Sequence, residues 1–77
     1  MTLKELFEKY KDTPKSYSFI NGLNFLKKRG YFSDIAAEHD EIFILLRNAN
    51  QISEFEVRHL LSLGFEYEDY ETIKYIL

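Results

Sequence analysis

Residues 52–68, Ile52-Ser53-Glu54-Phe55-Glu56-Val57-Arg58-His59-Leu60-Leu61-Ser62-Leu63-Gly64-Phe65-Glu66-Tyr67-Glu68, contain a complete change of period. Ser53 and Glu56 form a capping box, in which the serine hydroxyl accepts from a free N–H at the helix start and the glutamate returns the bond. Ile52 and Val57 are placed as a hydrophobic staple across it. Val57, Leu60, Leu61 and Gly64 then fall on one helical stripe, with Phe55, Arg58, His59 and Ser62 on a different face. Gly64 is a stop signal, and Phe65 is placed to touch Leu60. Beyond it Phe65 and Tyr67 alternate with Glu66 and Glu68, the period of a strand. A helix over 53–63 followed at once by a strand over 65–68 makes this an α+β chain.

The same logic extends outward in both directions. On the C-terminal side Ile73, Tyr75 and Leu77 alternate with Thr72, Lys74 and Ile76, so 72–77 is a strand joined to the first by a turn near Asp69-Tyr70-Glu71. No Asn-Gly or Asp-Gly marks that turn, so its register is open. On the N-terminal side Glu41 to Leu46 is a short β-branched and aromatic run between polar segments, and Tyr31 to about Ala36 is placed to pair with it as a hairpin. Thr2 and Glu5 form another capping box, which opens a helix over about 3–12 with Leu3, Leu6, Phe7 and Tyr10 on one stripe, ended by Pro14. A helix over about 17–29 follows, with Phe19, Ile20, Leu23 and Leu26 inward, three cations in its last turn and Gly30 as its cap. Tyr31 is then placed to pack back on Leu26.

Laid together, Leu26 to Leu45 and Leu60 to Ile76 both read helix, Gly cap, strand, acidic turn, strand. The spacings from the glycine to the second strand differ by three residues, which favours a coincidence of common punctuation over a duplicated αββ unit. The expected architecture is α+β in one small domain spanning 1–77, with about four antiparallel strands and two to three helices on one face. Its expected core includes Leu23, Leu26, Phe43, Leu60, Leu61, Phe65 and Tyr75.

Seventy-seven residues bury only about two-thirds of their unfolded surface, and the absence of cysteine removes disulfides and thiolate metal sites as staples. Seven Phe and six Tyr are the compensation. The start Met1-Thr2-Leu3-Lys4-Glu5 has no apolar targeting segment and no run has the length of a membrane span, so a cytoplasmic protein without membrane contact is expected.

Charge is unevenly spread. Residues 1–30 hold seven basic and three acidic side chains, a balance of +4, whereas 31–77 hold three basic and ten acidic ones, a balance of −7. Such an imbalance steers partners of opposite sign. Glu66, Glu68, Asp69 and Glu71, interleaved with Tyr67 and Tyr70, are the candidate partner-binding residues. If the two hairpins lie side by side, Asp34, Glu38, Asp40 and Glu41 extend the array. The partner this implies is a larger protein with a basic surface, such as the phosphate-binding surface of a nucleic-acid enzyme. A homodimer is a further expectation, on the premise that the last strand lies at the sheet edge with unpaired backbone groups.

Other constellations carry less. Glu38-His39-Asp40-Glu41 has the densest set of ligand-type residues, but consecutive residues on an extended segment point to alternate sides and cannot close on one ion. No complete set of nucleophile, base and electrostatic stabiliser is present, so neither an enzyme nor a cofactor is expected. Lys27, Lys28 and Arg29, followed by Tyr31 and Phe32, suit nucleic acid in composition, yet three cations also complement a helix C-terminus, and the formal charge of −3 weighs against direct nucleic-acid binding.

Leu26-Lys27-Lys28-Arg29-Gly30-Tyr31, followed by a strand and His39, resembles the HicA-type messenger-RNA interferases over about residues 23–46. There a helix leads through Gly-Tyr or Gly-Phe to strands bearing a catalytic histidine. The resemblance implies RNA cleavage using His39 with Lys27, Lys28 and Arg29. The Gly-Ser-His of that family is Ala37-Glu38-His39 here, and a carboxylate beside the histidine repels RNA, so the activity is not carried over. In build, though by no motif, the chain is similar to the small, cysteine-free, often acidic inhibitors that phages encode against host nucleases, anti-CRISPR proteins among them.

Overall fold

A computed structural model describes all residues from 1 to 77. The elements follow the order α1 (Leu3–Lys9), α2 (Phe19–Arg29), β1 (Phe32–Glu38), β2 (Glu41–Leu46), a 3₁₀ turn (Ala49–Gln51), α3 (Glu54–Ser62), β3 (Phe65–Asp69) and β4 (Thr72–Ile76). The strands make one antiparallel sheet of order β1-β2-β4-β3, as an α+β domain requires.

Each helix begins where its cap residues place it. Thr2 Oγ1 accepts from Glu5 N–H at 3.2 Å while Thr2 N–H donates to Glu5 at 2.9 Å, and Ser53 and Glu56 repeat the exchange at 3.2 and 2.9 Å. Ser18 Oγ caps α2 through the Asn21 N–H. Gly30, at φ +77°, closes α2, and the Tyr31 N–H reaches back to the Leu26 carbonyl at 2.9 Å. Gly64, at φ +96°, plays the corresponding role after α3. The remaining glycine answers a packing need. A Cβ on Gly22 would overlap the ring of Phe65, which is fully buried beneath α2.

The helix-facing side of the sheet holds the core. Phe65, Leu26, Ile44, Leu60, Ile73 and Val57 are its largest fully buried side chains, and Phe19, Phe65 and Tyr75 form an aromatic cluster with centroids 5.3–6.0 Å apart. Beside them lies a buried carboxylate. Glu56 accepts from the Tyr31 hydroxyl at 2.9 Å and from Arg29 at 3.0 Å, besides the Ser53 N–H of its capping box.

Three expectations are corrected here. Phe43 is not core. It pairs with Ala36 and Lys74 and lies on the side of the sheet away from the helices, since strand neighbours alternate and Ile44 takes the buried side. Ile20 is 63% exposed, because Gly22 and Leu26 set the buried side of α2. β4 is not an edge strand, being hydrogen-bonded to both β2 and β3, so the premise for dimerisation through the last strand fails. The edges are β1 and β3.

The two αββ units, α2-β1-β2 and α3-β3-β4, take equivalent places in the strand order on either side of the antiparallel β2–β4 pair, with β1 and β3 at the edges. The hairpins therefore point in opposite directions. Leu77 N–H bonds the Asp40 carbonyl at one end of the sheet, and Leu46 N–H bonds the Glu71 carbonyl at the other.

Candidate functional site

That opposition divides the acidic array. Glu38, Asp40 and Glu41 lie at one end of the sheet and Asp69 and Glu71 at the other, so hairpins that are neighbours do not pool their turns. The six candidate residues of the β3–β4 hairpin separate as well. Glu66 pairs across to Lys74 on the open side of the sheet, and Glu68 reaches the same lysine at 3.2 Å. Glu41 approaches Lys74 from β2 at 3.4 Å. Hydrogen bonding to Glu68, then to Glu41, raises the Lys74 ammonium above its ordinary value although partial burial opposes this. Glu68 is thus already engaged inside the molecule.

Tyr67 points the other way. Its register partner Ile73 is fully buried, and its ring stands 6.1 Å from that of Phe7 on α1, which half-buries it. Asp69, Tyr70 and Glu71 form the tip. Tyr70 has φ +45° and is 88% exposed. Left-handed backbone costs an L-residue on the order of 1 kcal/mol and is tolerated chiefly by Gly, Asn and Asp. His39 occupies the corresponding place in the β1–β2 turn at φ +55°, and histidine is more at home there than tyrosine.

Between α1, the 3₁₀ turn and this hairpin runs a groove of about 630 Å³. Leu3, Leu6, Ala49 and Ile52 line it, Tyr67 and Tyr70 close one side, and Lys4 and Glu71 are its charged groups. The site thus brings together Tyr67, Tyr70 and Glu71, whereas Glu68 is held by Lys74 on the open side of the sheet and Glu66 lines a second hollow with Lys4, Lys11 and Lys15. Leu3 and Leu6 were visible in the sequence only as part of a core stripe. The 3₁₀ turn, entered through Asn48 at φ +56°, fell within a segment read as a polar boundary.

The cations of α2 are placed differently. Arg29 pairs with Glu56 and lies 5.2 Å from the Phe25 ring, and Lys27 lies 5.2 Å from the Phe32 ring. Lys28 has neither kind of partner. His39 sits exposed in its turn, and no three His, Asp or Glu side chains converge as a metal site demands. His59 packs edge-on against Phe25 at 4.8 Å. No helix is long and apolar enough to cross a membrane. No family model, no curated protein and no solved structure matches the chain.

Proposed function

We propose that the protein is a non-catalytic binding module whose β3–β4 hairpin seats on a basic surface of a larger protein, of the kind that ordinarily holds nucleic acid. The observation that carries this reading is Tyr70. A large ring held in left-handed backbone and 88% exposed gains nothing from folding, yet it stands at the mouth of an apolar groove and between two carboxylates. Tyrosine so placed supplies rigid contact area with a polar tip, as hot-spot residues do. Asp69 and Glu71 steer the approach, and the groove beside Tyr67 and Tyr70 receives an apolar side chain or the aliphatic stem of a lysine or arginine. Glu68, held by Lys74, contributes field rather than contact. A nuclease with a positively charged channel is the partner class that this chemistry favours, and the likeness in build to phage-encoded inhibitors points the same way.

The test is a tagged pull-down from bacterial lysate with and without added nuclease, comparing wild type, the pair Asp69→Lys and Glu71→Lys, and Tyr70→Gly. A protein partner resistant to nuclease, and lost from both variants, is expected. Tyr70→Gly should leave thermal stability unchanged or raise it by up to about 1 kcal/mol, because glycine accepts this backbone without strain. Recovery of RNA or DNA that disappears on changing Lys27, Lys28 and Arg29 to alanine would replace this reading with a nucleic-acid-binding one. RNA cleavage abolished by His39→Ala in a folded variant would replace it with the interferase.

A further inference from the structure

The helical layer treats the two edge strands differently. On β3, Phe65 is fully buried and Tyr67 packs against α1. On β1, Ile35 pairs with Ile44 and Ala37 with Ile42, which puts both on the helix-facing side, yet Ile35 is 44% exposed and Ala37 is exposed. α1 and α3 both lie against β3, whereas the helix that lies against β1 is α2. Every residue from Asp34 to Glu38 is exposed. The strand carries a register shift between Phe32 and Asp34 and the carboxylates of Asp34 and Glu38, but from Asp34 to Glu38 it pairs regularly and contains no lysine or proline. Its Ile35 N–H donates to the Asp34 carboxylate at 2.8 Å, a local substitute for the carbonyl that a neighbouring strand would offer.

The other side of β1 is shaped as well. Asp34, Ala36 and Glu38 share that side with Leu45, Phe43 and Glu41, and a shallow cleft of about 180 Å³ lies among Asp34, Ile35, Ala36, Phe43, Leu45 and Thr72. We propose that β1 is a strand-addition site for an extended basic segment of another protein, which pairs antiparallel with Asp34–Glu38 and sets an apolar side chain in this cleft. Main-chain bonds supply affinity in such recognition, and alternate side chains supply specificity. On the open side of the sheet the incoming strand meets Asp34, Ala36 and Glu38 in turn, which selects basic, apolar and basic residues. On the helix-facing side it meets Ile35 and Ala37, which selects apolar residues. When the added strand offers a carbonyl to the Ile35 N–H, the Asp34 carboxylate is released to pair with the incoming cation.

Charge favours a basic segment over a second copy paired about the middle of the strand. Antiparallel self-pairing centred on Ala36 would set Asp34 opposite Glu38 twice, and directly opposed like charges destabilise a strand pair. The cleft borders the β3–β4 hairpin at Thr72, but the edge that would pair with the added strand is β1, so the proposal does not rest on what the hairpin tip binds.

The probe is a capped synthetic peptide with the core Lys-Val-Val-Val-Lys, titrated into the whole protein and followed by fluorescence anisotropy and by amide shifts and hydrogen exchange. Saturable binding is expected, with shifts centred on residues 34–38 and exchange of the Ile35 amide slowed at least about tenfold. The pair Asp34→Lys and Glu38→Lys should weaken binding by about tenfold or more, and by clearly more than Asp69→Lys with Glu71→Lys, which changes the net charge by the same amount. Methylating alternate peptide nitrogens should abolish it. The exchange readout on the unmodified protein guards against a variant that fails to fold. Absence of saturable binding, shifts confined to the β3–β4 hairpin, or equal binding of the methylated peptide would overturn the proposal. So would a concentration-dependent dimer whose β1 amides are protected without peptide, which would assign the edge to a second copy.

Discussion

Glu56 shows how one residue serves two levels of structure. As the third residue of its helix it completes the capping box that the sequence announces, and as a buried side chain it ties α3 to the end of α2. Burial pushes its carboxyl up, but hydrogen bonds from the Ser53 N–H and the Tyr31 hydroxyl, with the Arg29 charge, outweigh burial and hold it below the ordinary value. Burial first, and then the Glu56 carboxylate, raises the Tyr31 phenol, so it remains a donor at neutral pH. A depressed folded-state value means that the stabilisation is complete above the unfolded carboxylate's value of 4.5 and is lost as pH falls through the lowered one. Glu56→Gln keeps the shape and removes the charge. It should cost about 1–3 kcal/mol at neutral pH, the scale of hydrogen bonds to a charged group. That deficit should shrink as the pH of urea unfolding is lowered from about 7 to below 4.5, as the wild-type carboxyl loses its charge on passing through its lowered value. A deficit constant across that range would show that charge is not what Glu56 contributes.

At the scale of elements, what was legible depended on whether the signal was local. Capping boxes, glycine stops and alternation act within a few residues, and the three helices and four strands fall close to where those signals put them. Strand order is not a local property. Nothing in Thr72 to Leu77 distinguishes a central strand from an edge one, and only its pairing with β2 shows β4 to be internal. Nor does an apolar run of Ile42 to Leu46 reveal that Phe43 turns to the open side while Ile44 turns to the core. The candidate site was legible in the same partial way. Its tyrosines and carboxylates were visible as a cluster, whereas the groove required α1 and the 3₁₀ turn to be folded against the hairpin. A pair of substitutions measures the difference between the two sides of the sheet. Leu60→Ala, at a fully buried position, should cost about 2–5 kcal/mol. Phe43→Ala should cost about 1 kcal/mol despite removing the larger side chain, because its ring leaves no enclosed cavity. Chemical denaturation of both variants decides this, and a Phe43 cost equal to that of Leu60 would mean that the open side is covered in solution.

For the whole molecule, the charge asymmetry of the chain does not pass unchanged to the surface. Lys9 meets Glu54, to which the Tyr10 hydroxyl also donates, and Arg29 meets Glu56. Cations of the basic first third are thus paired with carboxylates of the acidic remainder. Lys74, one of only three cations after residue 30, is held between Glu41 and Glu68. The carboxylates at the tip of the β3–β4 hairpin, Asp69 and Glu71, stand outside these pairs. Salt should therefore act unequally on folding and on binding. Internal pairs are close in space and interact over only a few ångströms, so raising the ionic strength from about 0.02 to about 0.5 M should change unfolding stability by less than about 1 kcal/mol. Diffusional approach to a basic partner samples the field at long range, so its rate constant should fall by tenfold or more over the same interval. Stopped-flow association with the captured partner and urea unfolding in matched buffers give the two slopes. Asp69→Lys with Glu71→Lys should flatten the first and leave the second unchanged. An association rate as insensitive to salt as the stability would remove electrostatic steering from the mechanism and leave recognition to Tyr70 and the groove alone.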